Sequence, residues 1–283
     1  CDEIVVLKVQ KLVYMMNAGD NIDYNVINET LWEYASLISD YNKITNITGF
    51  NSIEAIYKEL IVKSITPLQN LNVPRGTTFV DIGTGAGIPG LALLLYFHGM
   101  VNGLLIDSNN KKIQFVKEAV KKFDLHNYCT VIHGRAEDLA HDIHYREKFD
   151  FVVSRAFAHP YMAIEYGLPF VKVGGFYYIY YQVDNFEQSI DEIKSTIGNG
   201  LYGECSHTNG TDKKNNTRLA RNDSYQMEKV LQHAEECGGH LASQEELMKR
   251  GLQGGLVVIK DKPVPLCFPR KNAVVKRIIQ KLR

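Results

Sequence analysis

The sequence predicts an α/β protein, a mostly parallel sheet with helices on both faces preceded by a small helical N-terminal cap. Three observations predict it. From Thr77 onward, short apolar stretches alternate with segments of helical length, the texture of a parallel sheet covered on both faces. The first of these stretches runs into closely spaced glycines and then into a helix, from Phe79 to Gly90. The residues before position 76 instead repeat their apolar positions at helical spacing. With 283 residues and 45% hydrophobic content, the chain has enough apolar material for one large domain with an appendage, which excludes a fibre or a disordered tail.

In the cap, Ile27, Leu31, Tyr34, Ile38 and Tyr41 mark a helix over 26–41, with Asn28 and Thr30 as candidate starting caps. After Gly49 the set Ile53, Ile56, Tyr57, Leu60, Ile61, Ser64 and Ile65 marks a second, closed by Pro67 and Pro74. Strands are expected at Thr78 to Ile82, Gly103 to Asp107, Thr130 to His133, Phe151 to Ser154 and Phe176 to Tyr181. The helices between them start near Pro89, Asn110, Glu137 and Pro160, and both prolines suit a first helical turn, where the missing N–H is no loss. Past Gln182 the alternation weakens to a helix over 185–197 and a strand from Leu256 to Lys260. The polar stretch between them, Thr208 to Ser224, carries Lys213, Lys214, Arg218 and Arg221 and reads as an inserted loop. The expected division is a cap over 1–75, a sheet domain over 76–260 and a basic tail over 261–283.

Charge is balanced at 32 basic and 32 acidic residues, yet from Lys260 to the end eight bases face the single acid Asp261. Strips of that kind usually meet phosphate. Val274, Val275, Ile278, Ile279 and Leu282 lie at helical spacing within it. The five cysteines are scattered with no CxxC pair, as suits reduced thiols in a cytoplasm. The longest apolar run, Leu91 to Phe97, is far short of a membrane helix, and Asp2 and Glu3 argue against a signal peptide. His141 and His144 have no third partner, so no metal site is expected. No Ser/His/Asp set with a nucleophile elbow is present, and Cys129 reads as core.

The loop Asp81-Ile-Gly83-Thr-Gly85-Ala-Gly87-Ile88-Pro-Gly90 carries the chemistry. Glycines there let the backbone turn tightly and a ligand approach closely. Gly85, Gly87 and Gly90 satisfy GxGxxG, so a nicotinamide dinucleotide competes with S-adenosylmethionine. Asp81 favours the second, because a carboxylate suits the ammonium of a methionine moiety and would repel a pyrophosphate. At the end of the next strand, Asp107 stands where an acid commonly holds ribose hydroxyls; alone, it could equally cap the following helix. Ala136 and Glu137 after the third strand, near which adenine would lie, and Arg155 after the fourth should converge on the same crevice.

In order along the chain, NKITNIT (42–48), DIGTGAGIPG (81–90), IDSNNKKIQF (106–115), GRAEDL (134–139), FDFVVSRAFA (149–158), LPFVKVGG (168–175), LVVIK (256–260) and FPRK (268–271) resemble the ribosomal RNA small subunit methyltransferase G family, also called glucose-inhibited division protein B. The resemblance covers about 30–182 and 255–275. It implies a Rossmann-like methyltransferase fold and S-adenosylmethionine-dependent methylation of guanosine N7 in small-subunit ribosomal RNA. By position it assigns cofactor contacts to Gly83, Ile88, Ala136, Glu137 and Arg155, and ribose binding to Asp107. Arg155 is also expected to position cofactor and base, as the catalytic residue. Lys111 and Lys112 match a basic pair facing RNA, and Arg270 and Lys271 of the tail should add phosphate contacts. The implied partner is ribosomal RNA or the ribosomal particle, met by a cytoplasmic monomer with no metal and no membrane. The sequence departs from the family at Leu60 and Lys63, where a His and an Asp are frequent, and at Tyr181, where a lysine is usual. A methyltransferase for another substrate and a catalytically silent RNA-binding or assembly factor are the other readings.

Overall fold

The structure, a computed structural model that describes residues 24–181 and 229–282, is organised around a single seven-stranded sheet. Its strands are β1 (Thr77–Ile82), β2 (Val101–Asp107), β3 (Cys129–His133), β4 (Phe149–Arg155), β5 (Val171–Tyr180), β6 (Gly239–Leu241) and β7 (Leu256–Lys260). They lie in the order β3-β2-β1-β4-β5-β7-β6. The first five are parallel, and β7 runs antiparallel to both β5 and β6. Strand order reverses between β1 and β4, so the carboxyl ends of these neighbours border a crevice, the usual ligand position in open α/β sheets.

All six expected strands are present. β5 begins at Val171 rather than Phe176 because Gly174, at φ +85°, and Gly175 do not end the strand. They form a bulge, across which the register with β4 shifts from Phe149 opposite Val171 to Phe151 opposite Phe176. The additional strand β6 is three residues long, too short to show alternation in sequence.

The helices are α1 (Tyr24–Asn42), α2 (residues 53–68), α3 (Gly90–Phe97), α4 (Asn110–Lys122), α5 (Ala136–Leu139), α6 (Pro160–Gly167), α7 (residues 229–236), α8 (Gln244–Arg250) and α9 (Asn272–Leu282). α1 buries Ile27, Leu31, Tyr34 and Ile38 as its spacing predicts. It begins at Tyr24, so Asn28 and Thr30 lie inside it and do not cap it. α2 is capped by Ser52, whose side chain accepts from Ala55 N, and its middle, Ile56–Val62, widens into π-helical turns. Every residue of α3 is buried, which is why its sequence is apolar all round rather than striped. Pro89 stands just outside α3 as its N-cap, whereas Pro160 occupies the first turn of α6. The helix expected over 185–197 and the loop over 208–224 fall outside the described residues. Among the described residues, no helix is long and apolar enough to cross a membrane.

The C-terminal segment packs onto the body through Val275 and Ile279 of α9 and through one ion pair. Glu165 of α6 is fully buried and receives Arg270 through Nε and Nη2, the latter 2.7 Å from Oε2, and through the Arg270 backbone N–H at 2.6 Å. The Arg270 Nη2 also donates to Tyr161 Oη at 3.0 Å, and its guanidinium lies 5.0 Å from the Phe268 ring centroid. His233 approaches the same carboxylate at 3.2 Å. Burial opposes the charge on Glu165, but the hydrogen bonds from His233 and Arg270 outweigh it and hold the group below the ordinary carboxylate range. Arg270, expected at an RNA surface, is therefore an internal anchor, because a buried carboxylate demands a cation. Lys271 beside it is exposed.

Removing one member of such a pair leaves a buried charge uncompensated. Glu165→Ala should lower unfolding free energy by about 3–5 kcal/mol, read as a fall in the urea midpoint at pH 7.

Candidate active site

The glycine loop is held from three sides. Its first amides, those of Gly83 and Thr84, donate to Ile106 O at 2.8 and 2.9 Å, and Gly85 N donates to Asp107 Oδ2 at 2.8 Å. From beneath, Asp81 Oδ2 accepts from Thr84 Oγ1 at 2.6 Å and from Gly90 N at 2.8 Å. From the cap, Tyr34 Oη of α1 donates to Ala86 O at 2.6 Å. Gly83, Gly85 and Gly87 sit at φ +72°, +58° and +83°, the left-handed region that favours glycine. At Gly87 space forbids a side chain as well, since a Cβ would come within 2.5 Å of Tyr34 Oη and 2.6 Å of Leu91 Cδ1.

Above the loop lies a cavity of about 290 Å³ at the switch point. Gly83, Asp107, Ala136, Glu137 and Lys112 line it, so the ends of β1 and β2, the start of α5 and the first turn of α4 meet there. Ala156, Phe157, Met162, Tyr166 and Asn272 are also on the wall. Ala156 adopts φ +50°, uncommon for a residue with a Cβ and a form of backbone strain that clusters at functional sites. An acid at one strand end beside an apolar slot suits a nucleoside: the carboxylate can accept from ribose hydroxyls, and Ala136 leaves room for a flat base. Asp107 keeps capacity for this, because each oxygen has lone-pair room beyond the one backbone amide it accepts, Oδ2 from Gly85 N and Oδ1 from Asn109 N.

Not every expected residue faces this space. Gly85, Gly87 and Ile88 lie outside the lining, and Ile88 is packed in the core under the cap. Asp81 is fully buried beneath the loop, with Oδ1 lacking any hydrogen-bond partner. Burial, above all, raises its pKa from the usual carboxylate range to about 7. Arg155 points away from the lining toward α2. Its Nη1 donates to Leu60 O at 2.9 Å and to Ser64 Oγ at 2.7 Å, and its Nη2 donates to Glu59 O at 2.6 Å. Tyr180 Oη donates to Ser64 O in the same cluster. The lysine pair is split: Lys112 lines the cavity, while Lys111 is exposed on the outer side of the first turn of α4.

Phe157, which follows the fourth strand at the expected edge, lines the wall, whereas sequence reasoning missed Met162, Tyr166 and Asn272. For the first two of these the signal existed, since α6 follows a strand end at the crevice. Nothing in the sequence signals that the chain returns to this site at residue 272. Among the described residues, no group of three or more His, Cys, Asp or Glu could hold a metal ion. His141 bonds Pro269 O at 2.9 Å, and His144 bonds Asp142 at 2.7 Å.

The profile of the family described as rRNA small subunit methyltransferase G matches residues 27–205. Curated relatives share that name. One from Moorella thermoacetica is 42% identical over 147 residues, 52% of this chain and 60% of the relative. Another, from Lachnoclostridium phytofermentans, is 36% identical over 164 residues, 58% of this chain and 66% of the relative. A third, from Desulforamulus reducens, is 36% identical over 188 residues, 65% of this chain and 77% of the relative. The matched stretch thus spans slightly under two thirds of the first two relatives and about three quarters of the third.

The raised pKa of Asp81 makes a stability prediction with a definite sign. Its folded value of about 7 exceeds the unfolded value of about 3.9, so the folded state holds the extra proton between them. The contribution is complete below about pH 4 and is lost as pH rises through about 7. Relative to Asp81→Asn, the native chain should lose urea resistance between pH 5 and pH 8. A carbon NMR titration of the Asp81 carboxyl should show its midpoint near 7.

Proposed function

Because the chain belongs to the rRNA small subunit methyltransferase G family, we propose that it transfers a methyl group from S-adenosylmethionine to N7 of a guanosine in small-subunit (16S) ribosomal RNA, in the cytoplasm. The observation that carries this reading is the meeting of Gly83, Asp107, Ala136 and Glu137 on one cavity at the switch point of the sheet. When bound, S-adenosylmethionine supplies an electrophilic methyl group. Asp107 would hold its ribose, Ala136 and Glu137 would flank its adenine, and the Gly83 backbone would face its methionine portion.

Guanine N7 carries a free in-plane lone pair, so its methylation requires no prior loss of a proton. The protein's task is to hold N7 in line with the methyl group, which is catalysis by proximity and orientation. N7 lies beside O6 on the major-groove edge, and a lysine or arginine can grip O6 while the N7 lone pair stays free for the methyl group; Lys112, on the cavity lining, supports that contact. Lys111 and Lys271, both exposed, are suited to phosphates flanking the guanosine. Arg155 enters as a positioning residue: by joining the end of β4 to the π-helical turns of α2 it fixes the backbone that leads directly into Ala156 and Phe157 of the cavity wall.

Mapping N7-methylguanosine in 16S ribosomal RNA from cells with and without this protein tests the activity, and one modified position should vanish in its absence. Arg155→Ala should lower turnover by about 100-fold through displaced geometry, with a smaller effect on RNA binding. Full turnover in that variant would remove the residue from the mechanism. Binding to the RNA should weaken steeply as salt rises from about 50 to 200 mM.

A further inference from the structure

A second cavity, of about 500 Å³, opens at the opposite end of the sheet, beside the amino ends of β1, β4 and β5. Among the described residues, four cations line it, Arg75, Lys172, Lys249 and Arg250, against one acid, Asp150. Contacts between the elements bring these residues together. Asp150 Oδ2, at the start of β4, accepts from Thr78 N and Thr78 Oγ1, both at 2.8 Å, which draws in the turn carrying Arg75, and its Oδ1 pairs with Lys172 of β5. Arg250 Nη2, at the end of α8, donates to Gly174 O of β5 at 3.2 Å, and its guanidinium lies 5.7 Å from the Phe176 ring centroid. Lys249 beside it pairs with Glu245 at 2.8 Å along the helix. The Lys172 and Lys249 side chains are 52% and 70% exposed, so their pairs lie in water, where such pairs contribute little and leave the ammonium groups open to a further anion. Gly76 and Gly174 sit at φ +89° and +85° with open space where a Cβ would stand, so the backbone between the cations is open as well.

We infer that this hollow is a second RNA contact, taking backbone phosphates of the substrate at a distance from the methylated guanosine. This rests on the RNA-methylation reading and deepens it. Four cations around one acid suit a ligand that carries several negative charges along its length, and lysine and arginine are the side chains that hold phosphodiesters. The centre of a protein interface is depleted of lysine, whereas two lysines stand here, so the face fits RNA better than a folded protein. β1 separates the two cavities by its six residues, about 20 Å at the rise of a strand. RNA held at both ends must therefore run over the side of the sheet. A phosphate contact of this kind fixes orientation without reading sequence, and it is made equally before and during methyl transfer. Its loss therefore weakens binding and leaves the chemical step alone.

Binding and methylation assays of the full chain on 16S ribosomal RNA test this. Lys172→Ala/Lys249→Ala should weaken RNA binding by roughly tenfold and flatten the slope of log affinity against log salt by about 1.5, as two lost phosphate contacts require. KM for RNA should rise by the same factor with kcat unchanged, and S-adenosylhomocysteine should bind as before. Lys172→Arg/Lys249→Arg, which keeps both charges, should behave as the native chain. Removing two exposed lysines elsewhere, in Lys43→Ala/Lys117→Ala, should leave the slope nearly intact. If loss of Lys172 unsettles Asp150 and the first variant does not fold, Lys249→Ala/Arg250→Ala reads the same contact. Unchanged affinity and slope in a folded variant, or an equal loss in the Lys43 and Lys117 control, would overturn the inference while leaving the methylation reading intact. Unchanged binding to naked RNA with weaker binding to the assembled small subunit would assign the face to a ribosomal protein and overturn it equally. Absence of N7-methylation by the native chain would overturn the methylation reading itself.

Discussion

One carboxylate without access to solvent shapes the site. Asp81 Oδ2 draws Thr84 Oγ1 and Gly90 N to the same point, so the chain between them must reverse within a few residues, and Gly83, Gly85 and Gly87 take the left-handed conformations that reversal needs. Gly90 is constrained by the same atom, since a Cβ there would lie 2.7 Å from Asp81 Oδ2. On the other side of the loop, Ile106 O and Asp107 Oδ2 receive three of its amides. The end of β1, the end of β2 and the start of α3 thereby behave as one rigid unit. A cavity floor fixed in this way is preorganised, so binding does not have to order it.

The cap completes what the loop begins. Tyr34 reaches down from α1 to Ala86 O, and Arg155 reaches up from β4 to Glu59 O, Leu60 O and Ser64 Oγ. These carbonyls belong to the widened turns of α2, and π-helical turns of this kind recur at functional sites. The strained Ala156 follows Arg155 directly and lines the cavity. Strain persists only where the surroundings over-determine it. Here the anchored guanidinium on one side and the β4–β5 register on the other do so. The cap is thus connected to the cavity through backbone geometry as well as through packing.

Periodicity made the strands, the cap helices and the loop legible, because each buries a regular face. The carboxyl edge of the sheet was legible for the same reason: strand ends are local features, and Asp107, Ala136 and Glu137 follow from them. What sequence could not supply was direction. Arg155 and Asp81 stand at the right strand ends, yet one side chain turns into the cap and the other under the loop, choices fixed by neighbours far along the chain. The basic tail shows the limit most plainly. Counting charges makes Arg270 a candidate for phosphate, but its true partner is Glu165, 105 residues earlier. That acid sits in a helix whose pattern gives no sign of a charge in its buried face. Asn272 was invisible for the same reason, since its place on the wall depends on that pairing.

The titration of these groups bears on the chemistry. A general base needs a lone pair open to the substrate and a pKa near the working pH. Asp81 meets the second condition, at about 7, and fails the first, being sealed beneath the loop and absent from the cavity lining. Asp107 faces the cavity but already receives amides from Gly85 and Asn109. Glu165 is committed to Arg270 and His233. These three carboxylates therefore act as anchors. A reaction at a neutral nitrogen with its own lone pair is one that such an edge can support, because orientation is all it asks of the protein.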